Sequence, residues 1–356
     1  MLIFAGDLKV MSASSHHKDE ISNLGEFGLI RHLTKDLVIK NSSTCQGVGD
    51  DAAVLDYGGK KVVITTDLLT EGIHFNLVYT PLKHLGYKAA VVNFSDIYAM
   101  NAQPRQLLVS MAISRKFTVS MIDDLYSGIR LACEQYGVDL IGGDTTSSYT
   151  GLTLSCTAIG EASDIELIYR SGASKTDLIC VSGDLGGAYI GLQLLERESK
   201  LFEQERDFQP VLDGYDYVLE RQLKPQARRD IIGLFTEQGI RPTSMIDISD
   251  GLSSELMHLC TNSNTGCKIF SDKIPIHPET RRVAGEFEID PLIAALNGGE
   301  DYELLFTFPV QQFDRIGKLG EINIIGHMVE PDEGMKMITP HGDVITLAAQ
   351  GWNSLI

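Results

Sequence analysis

Apolar residues recur along this chain with two spacings, and together they predict alternating helices and strands. Between Gly25 and Val38 they repeat every three to four residues, which indicates an amphipathic helix. Thr80-Pro81, read as an N-cap followed by a first helical proline, predicts a helix to about Met100. Short β-branched runs predict buried strands between the helices. These strands are Lys61–Thr65, Leu107–Ile113, Val138–Ile141, Thr153–Ile159, Leu178–Val181, Met245–Ile248, Cys267–Phe270 and Tyr302–Phe308.

The order of these elements predicts an α/β (α+β) chain in two halves. A polar stretch from Glu161 to Asp177 separates the halves and places a domain boundary near residue 163. We therefore expect a mobile leader at 1–22, an N-terminal domain at 23–163 and a C-terminal domain at 164–356. The charge-rich stretch from Glu196 to Pro225 is expected to combine a surface loop with helix. Further helices are predicted over Val119–Tyr136, up to Leu195, over Arg228–Gly239, from Ser249 onward and over Asp290–Leu296, with a hairpin over Met335–Leu347.

Five acidic turns, each set among Gly, Ser or Thr, carry the chemical signal of the chain. Clustered carboxylates repel one another unless cations lie between them, and Mg²⁺ is the cation that suits oxygen ligands beside phosphate. The turns therefore predict a magnesium–nucleotide site. They are Gly49-Asp50-Asp51, Thr65-Thr66-Asp67, Gly142-Gly143-Asp144, Asp247-Ile248-Ser249-Asp250-Gly251 and Gly298-Gly299-Glu300-Asp301.

Charge and cysteine content narrow the partners and the location. The chain has 356 residues and a formal charge of −18, with 48 acidic against 30 basic side chains, so nucleic acid is an unfavourable partner. An anionic nucleotide could dock only through metal ions, with a few Arg or Lys side chains helping. No apolar run approaches the roughly 20 residues that span a bilayer. The six cysteines include no Cys-x-x-Cys pair and indicate reduced thiols in a cytoplasmic protein.

Several of the acidic residues also have purely structural interpretations. Asp50 and Asp51 could form an Asx-turn, and Asp250 lies where a helix N-cap belongs. Asp96, on an otherwise apolar helix, requires either a metal or a salt bridge to Lys88 or Arg105. Gly47-Val48-Gly49-Asp50-Asp51-Ala52 fits a dinucleotide-binding pattern, but two carboxylates would repel a pyrophosphate and no clear strand precedes the glycines.

The other candidate residues carry weaker signals. Arg170 could grip a phosphate bidentately or form a surface ion pair. His74 could hydrogen-bond a substrate or be structural, and Trp352 could stack on a ligand or simply pack. The glycine-rich Ser182-Gly183-Asp184-Leu185-Gly186-Gly187 could bind an anion, but an ordinary strand–helix turn is favoured.

Read in order, the motifs resemble the thiamine-monophosphate kinase family of the aminoimidazole-ribonucleotide-synthetase-like ATP-binding superfamily. P-loop and protein-kinase motifs are missing from the sequence, so any phosphate chemistry requires a different architecture. The resemblance covers about residues 23–353. It is carried by Leu24–Ile30, Gly49–Val54, Thr65–Asp67 with Glu71–Phe75, Asn93–Met100, Gly142–Thr145, Asp247–Leu252 and Gly299–Leu304.

The resemblance implies a fold, a reaction and a set of residues. The fold would be two α/β domains, with the N-terminal sheets of two subunits pairing into a barrel in a homodimer. The reaction would be ATP-dependent phosphorylation of thiamine phosphate to thiamine diphosphate. Carried over by motif, the magnesium ligands would be Asp51, Thr65, Thr66, Asp67, Asp96, Asp144, Asp247 and Asp250. The ATP contacts would be Tyr126, Gly143, Asp144, Arg170 and Ser249, and the thiamine phosphate contacts His74, Glu300 and Trp352.

Two alternative functions stay open at this point. One is a sister synthetase of the same superfamily, with aminoimidazole-ribonucleotide synthetase as the example. The other is a protein that binds Mg-ATP without turnover. A multi-metal phosphohydrolase is disfavoured because such sites usually include histidine ligands, and only His74 lies close to an acidic turn.

Overall fold

The first sheet is built by the first half of the chain. The computed structural model describes Thr34 and residues 41–163, 165–204 and 209–348. Six strands form this sheet in the order β1-β2-β3-β6-β4-β5, and neighbours are antiparallel except β4 and β5. The strands are β1 Thr44–Gln46, β2 Ala53–Asp56, β3 Lys61–Thr70, β4 Gln103–Ile113, β5 Asp139–Ser147 and β6 Leu152–Ala162.

Strand β6 shows which face of this sheet is covered. Its alternate residues from Leu152 to Ala162 are buried and those between them are partly exposed. This period of two is typical of a sheet packed on one face. The packed face lies against helices α1, Leu82–Ala99, and α2, Val119–Tyr136. On the opposite face, Leu68 of β3 is 58% exposed.

The second half of the chain forms a seven-stranded sheet flanked by helices. The strand order is β13-β12-β9-β11-β7-β10-β8, and among the described strands of this second sheet only β12 and β9 are parallel neighbours. Every residue of β7, β8 and β10 is buried, as expected for strands covered on both faces. The strands are β7 Leu178–Ser182, β8 Ser244–Asp247, β9 Gly266–Phe270, β10 Leu304–Phe308, β11 Ile322–Val329, β12 Met335–Ile338 and β13 Val344–Thr346.

Seven described helices belong to this half, and helix α1 of the first half also packs against it. Helix α1 contacts the first sheet on one side and β8 and helix α4 on another, which explains why it is buried almost all round. None of the helices in the described ranges is long and apolar enough to cross a bilayer. The seven are α3 Gly187–Gln204, α4 Asp216–Leu223, α5 Arg229–Gln238, α6 Leu252–Ser263, α7 Pro278–Glu286, α8 Pro291–Asn297 and α9 Phe313–Ile316.

The structure confirms the α/β class and the closing hairpin, but it moves two boundaries that matter for the site. Strand β3 continues to Thr70, so Asp67 lies inside the strand and not just past its end. Strand β5 likewise contains Gly142-Gly143-Asp144, which the sequence placed after a strand. Both extensions occur because ladder pairing to β6 and β4 continues through the polar residues.

Other differences involve short or charged elements. Pro81, not Thr80, is the N-cap of α1, and it makes no side-chain cap bond. Helix α3 continues beyond Leu195 because its charged residues lie on an amphipathic helix. Strands β1, β2 and β11 and helices α7 and α9 were not predicted. Apart from Thr34, which is helical, the predicted leader at 1–22 and the helix over 25–38 lie outside the described residues.

Candidate active site

Three aspartates from separate parts of the chain meet at one point. Asp51 lies in the bend between β1 and β2, Asp96 lies near the end of α1, and Asp247 is the last residue of β8. Each offers one carboxylate oxygen, and the three oxygens lie within 4.8 Å of one another. Ionised carboxylates this close repel unless a cation lies between them. The all-oxygen set suits Mg²⁺ better than Zn²⁺.

Two hydroxyl groups orient two of these carboxylates. Thr65 Oγ1, on β3, donates a hydrogen bond to Asp96 Oδ2 at 2.6 Å. Ser95 Oγ, on α1, donates to Asp247 Oδ2 at 2.6 Å. Both distances are typical of hydroxyls bonded to ionised carboxylates. Because a carboxylate has two oxygens with several lone pairs, each remains able to bind a cation.

The electrostatics of the cluster favour a bound cation. Burial raises the pKa of Asp96 well above its usual value, and the charges of Asp67, Asp247 and Asp51 raise it further. Burial also raises the pKa of Asp247, with Asp51 adding to the effect and the Ser95 hydroxyl opposing it. A raised carboxyl pKa means that the ionised form is not fully compensated. A divalent cation would supply that compensation.

Arg170 lies against this cluster. Its Nε and Nη2 donate to the two oxygens of Asp51 at 2.9 and 2.8 Å, and the Asp51 side chain is fully buried. Its backbone N–H is shared between the two carboxylate oxygens of Asp50 at 3.3 and 3.2 Å. Burial, followed by the charge of Asp51, raises the pKa of Asp50 to about 7. Arg170 therefore forms a largely buried, bidentate ion pair and not the surface pair considered from the sequence.

Asp67 extends the acidic site along β3. Burial raises its pKa to about 6, and its charge contributes to the raised pKa of Asp96. Alternate residues of a strand share a face, so Thr65 and Asp67 point to the same side. The hydroxyl of Thr66 points to the other side and donates to the Cys156 carbonyl at 2.9 Å.

The loop that carries Ser249 and Asp250 is held from two directions. Glu255 Oε1 accepts hydrogen bonds from the backbone N–H groups of Asp250 at 2.9 Å and Ser249 at 3.3 Å. The backbone N–H of Glu300 donates to the Ser249 carbonyl at 2.7 Å. Gly251 is the N-cap of α6, so the capping role considered for Asp250 is wrong.

Tyr302 lies close enough to Glu300 and to the acidic cluster for their charges to act on its phenol. Burial raises the pKa of its phenol, and the nearby charges of Glu300, Asp67 and Asp247 raise it further. Glu300 itself pairs with Lys88, whose Nζ lies 2.9 Å from Glu300 Oε2. Arg105 pairs with Glu161 at 3.1 Å. Both salt bridges considered for Asp96 are therefore wrong, since each base has another partner.

Asp144 is not a member of the three-aspartate cluster. Strand pairing aligns Asp67 with Cys156, Val109 and Gly143 across β3, β6, β4 and β5. Three strand spacings correspond to about 14 Å. Asp144 follows Gly143, so its side chain points to the opposite, exposed face. A Cβ at Gly143 would lie 1.7 Å from the Val109 carbonyl oxygen, so glycine is required for this pairing.

The remaining predicted residues lie at varied positions. Tyr126, on α2, packs in part against the core, and burial raises its pKa. His74 is exposed, and its Nδ1 accepts a hydrogen bond from the Thr70 backbone N–H at 3.0 Å, which directs Nε2 to other partners. Trp352 lies outside the described residues.

Sequence reasoning missed four residues that shape the site. Ser95 lies inside the motif Asn93–Met100 and Tyr302 inside Gly299–Leu304, so their place in these motifs could have indicated a role in the site. Glu255 occupies the first turn of α6, where an acidic side chain reaches free backbone N–H groups. The pairing of Lys88 with Glu300 could not be predicted from the sequence, because the two residues are 212 positions apart.

Comparisons with known proteins give relatives that match most of the chain. The family described as "AIR synthase related protein, N-terminal domain" matches residues 49–162. A thiamine-monophosphate kinase of Aquifex aeolicus is 34% identical over 326 residues, covering 90% of this chain and 98% of the relative. One of Bacillus subtilis is 34% identical and covers 82% and 86%. A solved structure described as "AaThiL complexed with AMPPCP and TMP" has a TM-score of 0.77 and 31% identity, covering 93% of this chain and 97% of that one.

Proposed function

The chain belongs to the thiamine-monophosphate kinase family, and we propose that it transfers the γ-phosphoryl group of ATP to thiamine phosphate. The products are thiamine diphosphate and ADP. The observation that carries the proposal is the cluster of Asp51, Asp96 and Asp247 with Arg170 packed against it. It occurs in a chain that spans nearly the full length of its kinase relatives.

The donor set fits magnesium. Asp51, Asp96 and Asp247 would hold one or more ions, since their oxygens converge and the pKa of Asp96 and of Asp247 is raised without a cation. Thr65, Asp67 and Asp250 would extend the set. Thr66 and Asp144 would bind an ion only at a position separate from the three-aspartate cluster. When bound, magnesium neutralises phosphate charge and stabilises the charge that develops during transfer.

The nucleotide is proposed to lie beside Arg170 and Ser249. Arg170 already approaches the acidic cluster, so its guanidinium would contact phosphate once Asp51 binds a metal. Ser249 is held by Glu255 and Glu300, and its hydroxyl donates to Glu255 Oε1 at 3.4 Å. Tyr126, Gly143 and Asp144 are kept as further nucleotide contacts from the family motif.

The chain's own residues bind and orient two phosphates, and no general base is needed. The acceptor is an anionic phosphate oxygen of thiamine phosphate, so it has no proton to remove before attack. Thr65 and Ser95 hold the carboxylate ligands in fixed orientations, which favours in-line alignment of donor and acceptor. On the acceptor side, His74, Glu300 and Trp352 are proposed to contact the organic part of thiamine phosphate.

The larger organisation forms part of the proposal. The boundary near residue 163 is supported by the two sheets, since the first ends at Ala162 and the second begins at Leu178. A homodimer is supported by the open face of the first sheet and by β5, which is exposed along most of its length. Light scattering after gel filtration tests it. A cytoplasmic location is supported by six unpaired cysteines.

A substrate panel tests the reaction. The purified chain, ATP and Mg²⁺ are incubated with thiamine phosphate or with formylglycinamidine ribonucleotide, and ADP is measured. The proposal requires ADP and thiamine diphosphate with the first substrate only. ADP with the second substrate supports the sister synthetase. Calorimetric binding of Mg-ATP without product at high protein concentration supports a non-catalytic role.

A further inference from the structure

Lys88 and Gln222 form a small buried structure around Glu300 that the reaction does not explain. Lys88 and Gln222 are each 6% exposed. Lys88 Nζ donates to Glu300 Oε2 at 2.9 Å, and Gln222 Nε2 donates to the same oxygen at 3.0 Å. One oxygen of the carboxylate is therefore fixed by two donors from two different helices.

Lys88 is itself fixed by the end of helix α4. Its Nζ also donates to the backbone carbonyl of Gln222 at 3.1 Å. Gln222 lies in the last turn of α4, where carbonyl groups have no partner within the helix and cations bind favourably. A buried ammonium requires such partners. The lysine thus links α1, α4 and the Glu300 segment.

The backbone of Glu300 is equally constrained. Its φ of 60° is in the left-handed region, and its N–H is bonded to the Ser249 carbonyl at 2.7 Å. The side chain is still 32% exposed. Within the described part of the chain, nothing donates a hydrogen bond to Oε1. The structure therefore presents one oriented acceptor atom near the acidic cluster.

We propose that Lys88 and Gln222 are positioning residues that hold Glu300 Oε1 as an acceptor for the amino group of the substrate's pyrimidine ring. This inference rests on the proposed function. The phosphate end of the substrate belongs with the acidic cluster, and Glu300, which is not a member of that cluster, is left to the organic end. Since Lys88 already compensates the carboxylate charge, Glu300 acts as a directional acceptor and not as the counterion of the thiazolium ring.

The test compares thiamine phosphate with its desamino analogue, in which hydrogen replaces the pyrimidine amino group. We expect the wild type to prefer thiamine phosphate by about tenfold or more in kcat/KM, since an unpaired charged acceptor loses a strong hydrogen bond. Lys88→Met should bring this preference to within about threefold, through a higher KM for thiamine phosphate. The kcat and the KM for ATP should stay close to wild type. Lys88→Arg should retain part of the preference.

Lys83→Met, at an exposed position of the same helix, is the matched control and should leave the preference unchanged. If Lys88→Met keeps the wild-type preference, or loses activity equally with both substrates, the proposal is overturned. If Lys88→Met does not fold, Gln222→Leu is used instead. The same ratio of kcat/KM for thiamine phosphate to that for the desamino analogue should then fall, and an unchanged ratio overturns the proposal. A wild type that forms no ADP contradicts the proposed function. The positioning proposal is then judged by calorimetric affinities of the two compounds.

Discussion

Replacing Asp67 with asparagine is expected to stabilise the metal-free protein while abolishing its activity. Asp67 lies on β3 beside Asp96, and burial raises its pKa from 3.8 to about 6. The folded state therefore holds the proton more tightly than the unfolded chain does. Well below pH 4, Asp67 is protonated in both states and its burial costs no electrostatic stability. As the pH rises from about 4 to about 6, ionisation increasingly favours the unfolded chain, and above about pH 6 the loss of stability is constant.

The size of the effect follows from the shift. The folded pKa of Asp67 lies about two pH units above its ordinary value, which corresponds to a loss of roughly 3 kcal/mol in the free energy of unfolding at 1.36 kcal/mol per unit. Asp67→Asn removes this charge, and it also relieves Asp96, whose pKa the Asp67 charge raises. We expect a net gain of about 1–3 kcal/mol at pH 8 in EDTA, since the new amide loses some solvation on burial.

Thermal unfolding at pH 8 measures this gain, first in EDTA and then with Mg²⁺. In EDTA the melting temperature of Asp67→Asn should exceed that of wild type by a few degrees, and added Mg²⁺ should stabilise wild type more than the variant. Turnover should fall by about 10²-fold or more. Asp213→Asn, at an exposed loop position, should change neither quantity. A variant less stable than wild type in EDTA would show that the buried Asp67 charge does not destabilise the metal-free protein, and near-normal turnover would show that Asp67 does not serve the reaction.

Four further results are expected. In EDTA, wild-type stability should fall as the pH rises from about 4 to about 7, because Asp67 and Asp50 have folded pKa values of about 6 and about 7. The stabilisation by Mg²⁺ should therefore be larger at pH 8 than at pH 5.5, and equal stabilisation would count against the metal site. Ser95→Ala should raise the Mg²⁺ concentration for half-maximal activity about three- to tenfold by releasing Asp247, and titration measures this. Asp144→Asn should abolish turnover with the melting temperature unchanged, because exposed Asp144 is proposed to contact the nucleotide separately from the three-aspartate cluster, and near-normal activity would remove Asp144 from the site.

The sequence was most informative where acidic residues follow or interrupt apolar runs. Asp51, Asp96 and Asp247 were all predicted as metal ligands, and the structure brings these three together. The pattern works because a carboxylate on a buried element needs a compensating partner. It does not identify the partner, and the ion pair of Arg170 with Asp51 could not be distinguished from a surface pair by spacing alone.

Strand limits failed where strand pairing overrides local composition. Thr65-Thr66-Asp67 and Gly142-Gly143-Asp144 look like turns in the sequence, yet pairing to β6 and β4 keeps both extended. This difference determines which side chains share a face. The extended pairing places Thr66 on the opposite face from Thr65, and Asp144 on the opposite face from Asp67. The local sequence does not indicate these faces.

A crystal soaked with Mn²⁺, a non-hydrolysable ATP analogue and thiamine phosphate tests the proposed metal site most directly. We expect an anomalous scattering peak within about 2.0–2.4 Å of oxygens from Asp51, Asp96 and Asp247, with Arg170 moved from Asp51 to a phosphate. A nucleotide bound with no manganese peak among these three carboxylates would contradict the proposed metal site.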